Sequence, residues 1–307
     1  MRHPIIFMIL LTALISLQAQ ERGTRDIVSL SGRYALSQDY SEGYSGEATE
    51  IGALNSLTAG FKLAPKTLFA ININHFYFHV KDEAEMPVDI ASPIAINGII
   101  LRTGIIQEFS NGGKIQLLVA PRLMSDFKNM DGNSIQMGGL VSYQNDLNEN
   151  LNLGFGAMYN QERFGPYLVP LFLLSWQVSE RWYIEGMIPV TAKVHYRVNE
   201  GLDVGFNHFG LITTYYLGNE NYTGDYLERQ SIDLSLFARQ RLFGGIFVEG
   251  MIGRTFGREY SQYAGDQKVS FAIPLIAFGD NRTVKNVTFK DGMIFTLKLI
   301  FNMKVPD

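Results

Sequence analysis

Beyond His3, four histidines, several serines and two acidic runs are the residues here whose types suit chemistry. None forms a working constellation. His75 and His79 stand four apart in a stretch that alternates like a strand. At about 3.3 Å per residue they lie about 13 Å apart on one face, too far to share a metal with bonds near 2 Å. The residues two after His75, His79, His195 and His208 are Tyr77, Lys81, Arg197 and Gly210, so the His-x-Ser pair of barrel deacylases is absent. A Gly-x-Ser-x-Gly elbow is absent too. Lys81-Asp82-Glu83-Ala84-Glu85 with Asp89, and the run from Asp126 to Asp131, offer carboxylates for Ca²⁺ or for cation bridges to lipopolysaccharide. Their spacing does not fit an EF-hand, and solvated loops are the expected reading. Neither an enzyme nor a cofactor is expected.

The chemistry the chain does carry is a charged wall. Arg33, Lys114, Arg122, Lys193, Arg197, Arg239 and Lys298 all occupy the polar side of alternating segments, as do Lys62, Lys304, His195, Glu185 and Asp233. Lining a cavity, such groups act on a solute through charge and bore. With acids outnumbered, anionic solutes would be favoured in transit. The alternative is that the cations pair with acids and only fill the interior.

These residues need long strands to position them. From Trp182 to Val198 every second residue is apolar, the other set holding Glu185, Lys193, His195 and Arg197. Period two means a strand with one greasy and one polar face. The phase is unbroken at Pro189. A two-residue hairpin there would flip it, so one long strand is expected, with Pro189 at a bulge. Similar alternation, punctuated by turn-formers such as Asn111-Gly112-Gly113, Asn145-Asp146 and Gly244-Gly245, gives fourteen strands in a range of 12–16. They are 24–36, 48–63, 67–80, 95–109, 114–125, 133–144, 151–161, 167–177, 181–198, 202–217, 227–240, 245–258, 268–279 and 291–304. Residues 167–176 are apolar on both faces, which points to an interior plug or an apolar patch of lumen. Trp176, Trp182, Tyr216 and Phe301, near strand ends, suit interfacial girdles.

The N-terminus supplies the compartment. Arg2, an apolar run from Ile5 to Leu17, and Ala19 read as a secretory signal over residues 1–19, leaving one domain over 20–307. No Cys is present, which removes disulfides and thiol chemistry. Losing Arg2 with the signal leaves 25 Lys and Arg against 30 acids, a mild acidity that argues against nucleic acid as a partner. Export, strand length and Lys, Arg and Glu on the polar face together favour an all-β, single closed antiparallel transmembrane β-barrel with its apolar face to lipid. Closure is required, because an open edge in lipid leaves backbone groups unpaired at several kcal/mol each. The expected site is the outer membrane of a Gram-negative bacterium. The expected partners are outer-membrane lipid, lipopolysaccharide and, during insertion, the barrel-assembly machinery.

Ala120-Pro121-Arg122-Leu123-Met124-Ser125-Asp126-Phe127, Gly154-Phe155-Gly156-Ala157-Met158-Tyr159, Val169-Pro170-Leu171, Trp182, Ile188-Pro189 and Tyr196-Arg197 together resemble a family of uncharacterised outer-membrane β-barrel proteins of Bacteroidota, a domain of unknown function. The resemblance implies a barrel and the outer membrane, and no substrate. The function expected is a passive pore for small solutes, anionic or partly hydrophobic. The alternatives are a non-conducting structural or anchoring barrel and a lipid-modifying barrel enzyme.

Overall fold

The structure is a computed structural model that describes residues 24–40 and 45–304. The expected signal segment lies outside them. The strands are β1 (Thr24–Asp39), β2 (Glu47–Ala64), β3 (Thr67–Asp82), β4 (Ile94–Glu108), β5 (Gly113–Val119), β6 (Arg122–Ser125), β7 (Ile135–Gln136), β8 (Gly138–Asn148), β9 (Leu151–Glu162), β10 (Gly165–Gln177), β11 (Trp182–Ile188), β12 (Thr191–Asn199), β13 (Leu202–Tyr216), β14 (Tyr226–Phe243), β15 (Ile246–Tyr263), β16 (Phe271–Ile273), β17 (Ile276–Phe278) and β18 (Met293–Lys304). Each pairs antiparallel with its neighbour in the wall, and β1 pairs with both β2 and β18, so the ring closes. β5 and β6 are two halves of one wall strand broken at Ala120–Pro121, and β7 and β8 form the strand facing them. With β16 and β17 outside the wall, the barrel has 14 strands.

Two expected strands are corrected, and the corrections cancel. Residues 181–198 form a hairpin, β11–β12, that pairs Trp182 with Tyr196 and Met187 with Thr191. Ile188, Pro189 and Val190 make the reversal, and the Val190 N–H donates to the Met187 carbonyl at 2.8 Å. Three residues is an odd number, so partners share a face and the alternation passes through unbroken. Residues 268–279 do not form a wall strand. They carry the small β16–β17 hairpin, which touches the wall through one parallel pair, Tyr167 with Ala272. Asn145–Asp146 lies inside β8, with the reversal at Glu149–Asn150.

Burial is inverted relative to a water-soluble fold. Leu30, Leu117, Leu236 and Leu297 are 51–64% exposed, whereas Glu50, Arg229 and Glu249 are fully buried. A closed sheet that displays Leu and buries its charges is built for lipid, with the polar face turned to its own interior. Among the described residues no helix is long and apolar enough to cross a membrane, so crossing is by strands. Trp176 and Trp182 are exposed near one rim, but Tyr216 is no girdle residue. It is buried, because the top of β13 turns inward.

That inward turn sets the shape. β11 stops opposite Phe172 of β10, and β12 begins opposite Phe209 of β13. Residues 165–171 of β10 and 210–216 of β13 therefore stand above the hairpin tip, beside a notch about 20 Å tall at ~3.3 Å per residue. On the other side, β15 loses β18 as a partner beyond Arg254. Between Gln230 and Ile232 the β14–β15 register shifts, and the extra residue on β15 includes Gly257 at φ +58°. Such a bulge bends the strand that carries it. The upper parts of β13, β14 and β15, free on both flanks, fold into the barrel as a three-stranded flap. Its tip reaches the opposite wall, where Tyr216 pairs in parallel with Ser125 of β6.

Candidate functional site

All ten residues expected on the polar wall fall on the inward parity of their strands, and the structure assembles them into three groups. At the end with short turns, a vestibule of about 270 Å³ is bordered by Glu185, His195, Arg197, Asp203 and Arg239. The His195 Nε2 and Glu185 Oε1 atoms are 3.2 Å apart, with the imidazole between the Tyr183 and Phe237 rings. Arg197 Nε lies 3.7 Å from Asp203 Oδ1. Lys114 pairs with Glu108 at 3.0 Å on the far side of the rim, both partly exposed.

The second group crosses the lumen at mid-height. Lys193 of β12 donates to Glu249 of β15 at 2.6 Å, and Lys298 of β18 lies 3.4 Å from the other Glu249 oxygen. Arg239 donates to Asp26 at 3.1 Å, and Asn302 donates to the same carboxylate at 2.9 Å.

The third group pins the flap. Arg33 of β1 donates to Glu50 of β2 at 2.6 Å and pairs with Asp233 of β14. The Tyr260 hydroxyl of β15 donates to Glu50 at 2.7 Å, and the Arg229 guanidinium lies 3.7 Å over the Phe78 ring of β3. Arg122 donates to Glu162 at 2.7 Å, and Glu162 in turn accepts the Thr214 N–H at 2.9 Å. An ion in low dielectric persists only when paired and hydrogen-bonded, and these are.

The wall holds more acids than expected: Asp26, Glu50, Glu162 and Glu249 pair with inward cations, although Glu50 faces Arg33, Arg229 and Arg258 together and Glu249 faces both Lys193 and Lys298. Parity alone would have found Glu50 and Glu249, which alternate in phase with their polar neighbours. Arg229, Arg258 and Tyr260 could not be found that way, because their surroundings come from the flap. Lys62 is exposed beside a register shift at the β2–β3 turn. The Lys304 side chain lies outside the described residues.

The apolar patch expected in residues 167–176 faces inward, as Tyr167, Val169, Leu171 and Leu173, all buried. Above the flap, long loops interlock. Gln262 bonds the Ala91 N–H at 2.8 Å and the Asp225 carboxylate at 2.7 Å, and Lys285 donates to Asp225 at 2.8 Å. That hydrogen bond holds the Lys285 ammonium above its usual range. The acidic run from Asp126 to Asp131 caps its own loop. Asp126 accepts the Lys128 and Gly218 N–H groups at 3.0 Å each. Asp131 accepts both the side chain and the N–H of Asn133, which keeps its carboxyl below the ordinary value. Among the described residues no three of His, Asp or Glu converge as metal ligands.

No curated protein matches the sequence. Among solved structures, an outer-membrane channel from Pseudomonas putida F1 is similar at 9% identity and TM-score 0.47, with 93% of this chain and 97% of that chain covered. The TodX monoaromatic hydrocarbon channel, as a deletion mutant, is similar at 9% identity and TM-score 0.38, covering 93% and 91%. The NanC porin is similar at 10% identity and TM-score 0.34, covering 89% and 98%. The family model described as Domain of unknown function (DUF6268) matches residues 106–274, more than half of the chain, and the chain belongs to that family.

Proposed function

We propose that the protein is a passive, cofactor-free channel for small solutes in the outer membrane of a Gram-negative bacterium, of the Bacteroidota by the sequence resemblance. Short turns face the periplasm, long loops face outward, and lipopolysaccharide surrounds the rim. The barrel-assembly machinery inserts it.

One observation carries the reading: a charged vestibule of about 270 Å³, lined by Glu185, His195, Arg197 and Arg239, opens into the barrel at the short-turn end. A barrel serving only as an anchor needs no such entrance. Because most inward charges are paired, bore and local polarity select the solute more than a net positive field does. The flap lies across the far mouth, so conduction requires it to move.

The test is single-channel recording of the full chain in planar bilayers. Steady current steps are expected. Silence from protein shown to be folded would overturn the proposal and leave a structural barrel.

A further inference from the structure

The notch and the flap together create a second cavity outside the axial path. Because the upper parts of β13–β15 fold inward, their once lipid-facing residues Gly210, Ile212, Ile232 and Phe256 now look across at the inner face of β4–β10. Between them lies a bay of about 250 Å³. The hairpin tip at Pro189–Val190 bounds it on the notch side, and the β16–β17 turn at Pro274–Leu275 straps it from outside. Leu275 is 81% exposed, so the strap separates the bay from lipid by a single turn of chain.

The lining is apolar apart from a few groups. Ile100, Leu140, Met158 and Val169 supply the greasy wall. Two guanidiniums enter. Arg122 is neutralised by Glu162. Arg102 is not: its one hydrogen bond goes to the Asn72 side-chain oxygen Oδ1 at 3.2 Å, and among the described residues no carboxylate lies within ion-pairing distance. A charge in an apolar recess without a partner is costly, and an incoming anion relieves that cost.

We infer that the bay is a binding site for a small organic anion, a carboxylate carried on an apolar body, with its head on Arg102 and its body against Val169, Met158 and Ile232. Size sets the class. A cavity of ~150 Å³ accommodates benzene, so one of about 250 Å³ suits a ring with a short acid tail and is too small for a two-chain lipid. Arg, with its fork of donors, is suited to a carboxylate. The inference goes beyond conduction and does not depend on it.

The test is isothermal titration of the full chain in detergent with 4-phenylbutyrate and with the neutral 4-phenyl-1-butanol. The anion is expected to bind at least about tenfold more tightly, roughly 1.4 kcal/mol. Arg102→Met is expected to erase that preference, Arg102→Lys to retain most of it, and Val169→Trp to abolish binding of both by filling the bay. Each variant is first shown to keep the heat-modifiable gel migration of a folded barrel. Equal affinity for the two probes would overturn the inference, as would a preference surviving in Arg102→Met. Displacement of 4-phenylbutyrate by dihexanoyl phosphatidate at matched affinity would also overturn it, because it would assign the site to lipid headgroups. These readouts need no current, so a silent bilayer and an empty bay are separate outcomes.

Discussion

Arg122 on β6 and Glu162 on β9 meet at 2.7 Å, and through Glu162 they hold Thr214 of β13 against the opposite wall. Three distant parts of the chain are joined there, with both charged side chains buried. Removing one partner leaves the other as an uncompensated charge, at a cost of about 3–5 kcal/mol. Arg122→Met and Glu162→Gln should each lower the urea midpoint for unfolding from lipid vesicles. The double variant Arg122→Met/Glu162→Gln should fall less than the two singles added together. Strict additivity would show that the pair does not act as a unit.

Glu249 faces two cations, Lys193 at 2.6 Å and Lys298 at 3.4 Å. Glu249→Gln removes the shared acid and leaves a positive site at mid-height. If solutes pass this level, the reversal potential in a KCl gradient should shift toward chloride. An unchanged reversal potential would place the conducting path elsewhere.

The β11–β12 reversal uses three residues, and that number sets the face of everything after it. Deleting Val190 should turn Lys193, His195 and Arg197 toward lipid, at about 2–4 kcal/mol for each cation near the bilayer centre. Assembly should fail, seen as loss of heat-modifiable migration on gels. Inserting two residues after Pro189 preserves parity and should leave a folded barrel.

Asp280 accepts the Arg282 side chain and backbone N–H at 2.9 and 3.0 Å, and Arg282 bridges onward to Glu228 at 2.6 Å. The Arg282 side chain holds the Asp280 carboxyl below its ordinary value. A depressed carboxylate contributes stability above the unfolded value, near 3.9, and loses it as pH falls through the folded one. Amide exchange over residues 279–285, corrected for intrinsic rates, should therefore quicken as pH drops from about 5 to about 2. Constant protection across that range would sink the assignment.

Alternation revealed most of the wall because period two is a local property. Val28, Leu30 and Tyr34 point to lipid and Arg33 inward, as their order implies. The failures were of two kinds. Local pattern cannot see a reversal that preserves phase, so Trp182–Ile188 and Thr191–Asn199 merged into one strand. Nor can it see partners distant in sequence. Thr213 lies 91 residues from Arg122, and Asp233 lies 200 from Arg33, so the flap and its ion pairs were invisible. Nothing in the sequence around Arg102 marks it as lacking an acid.

The obstruction in the upper barrel is cut from the barrel's own staves. A separate stopper can be expelled while its cask stays rigid, but here the strands that block the mouth continue into the strands that form the side. Swinging them outward at the Gly257 bend would empty the centre and crush the bay beneath the strap in one stroke. A molecule held in that recess would oppose such a swing.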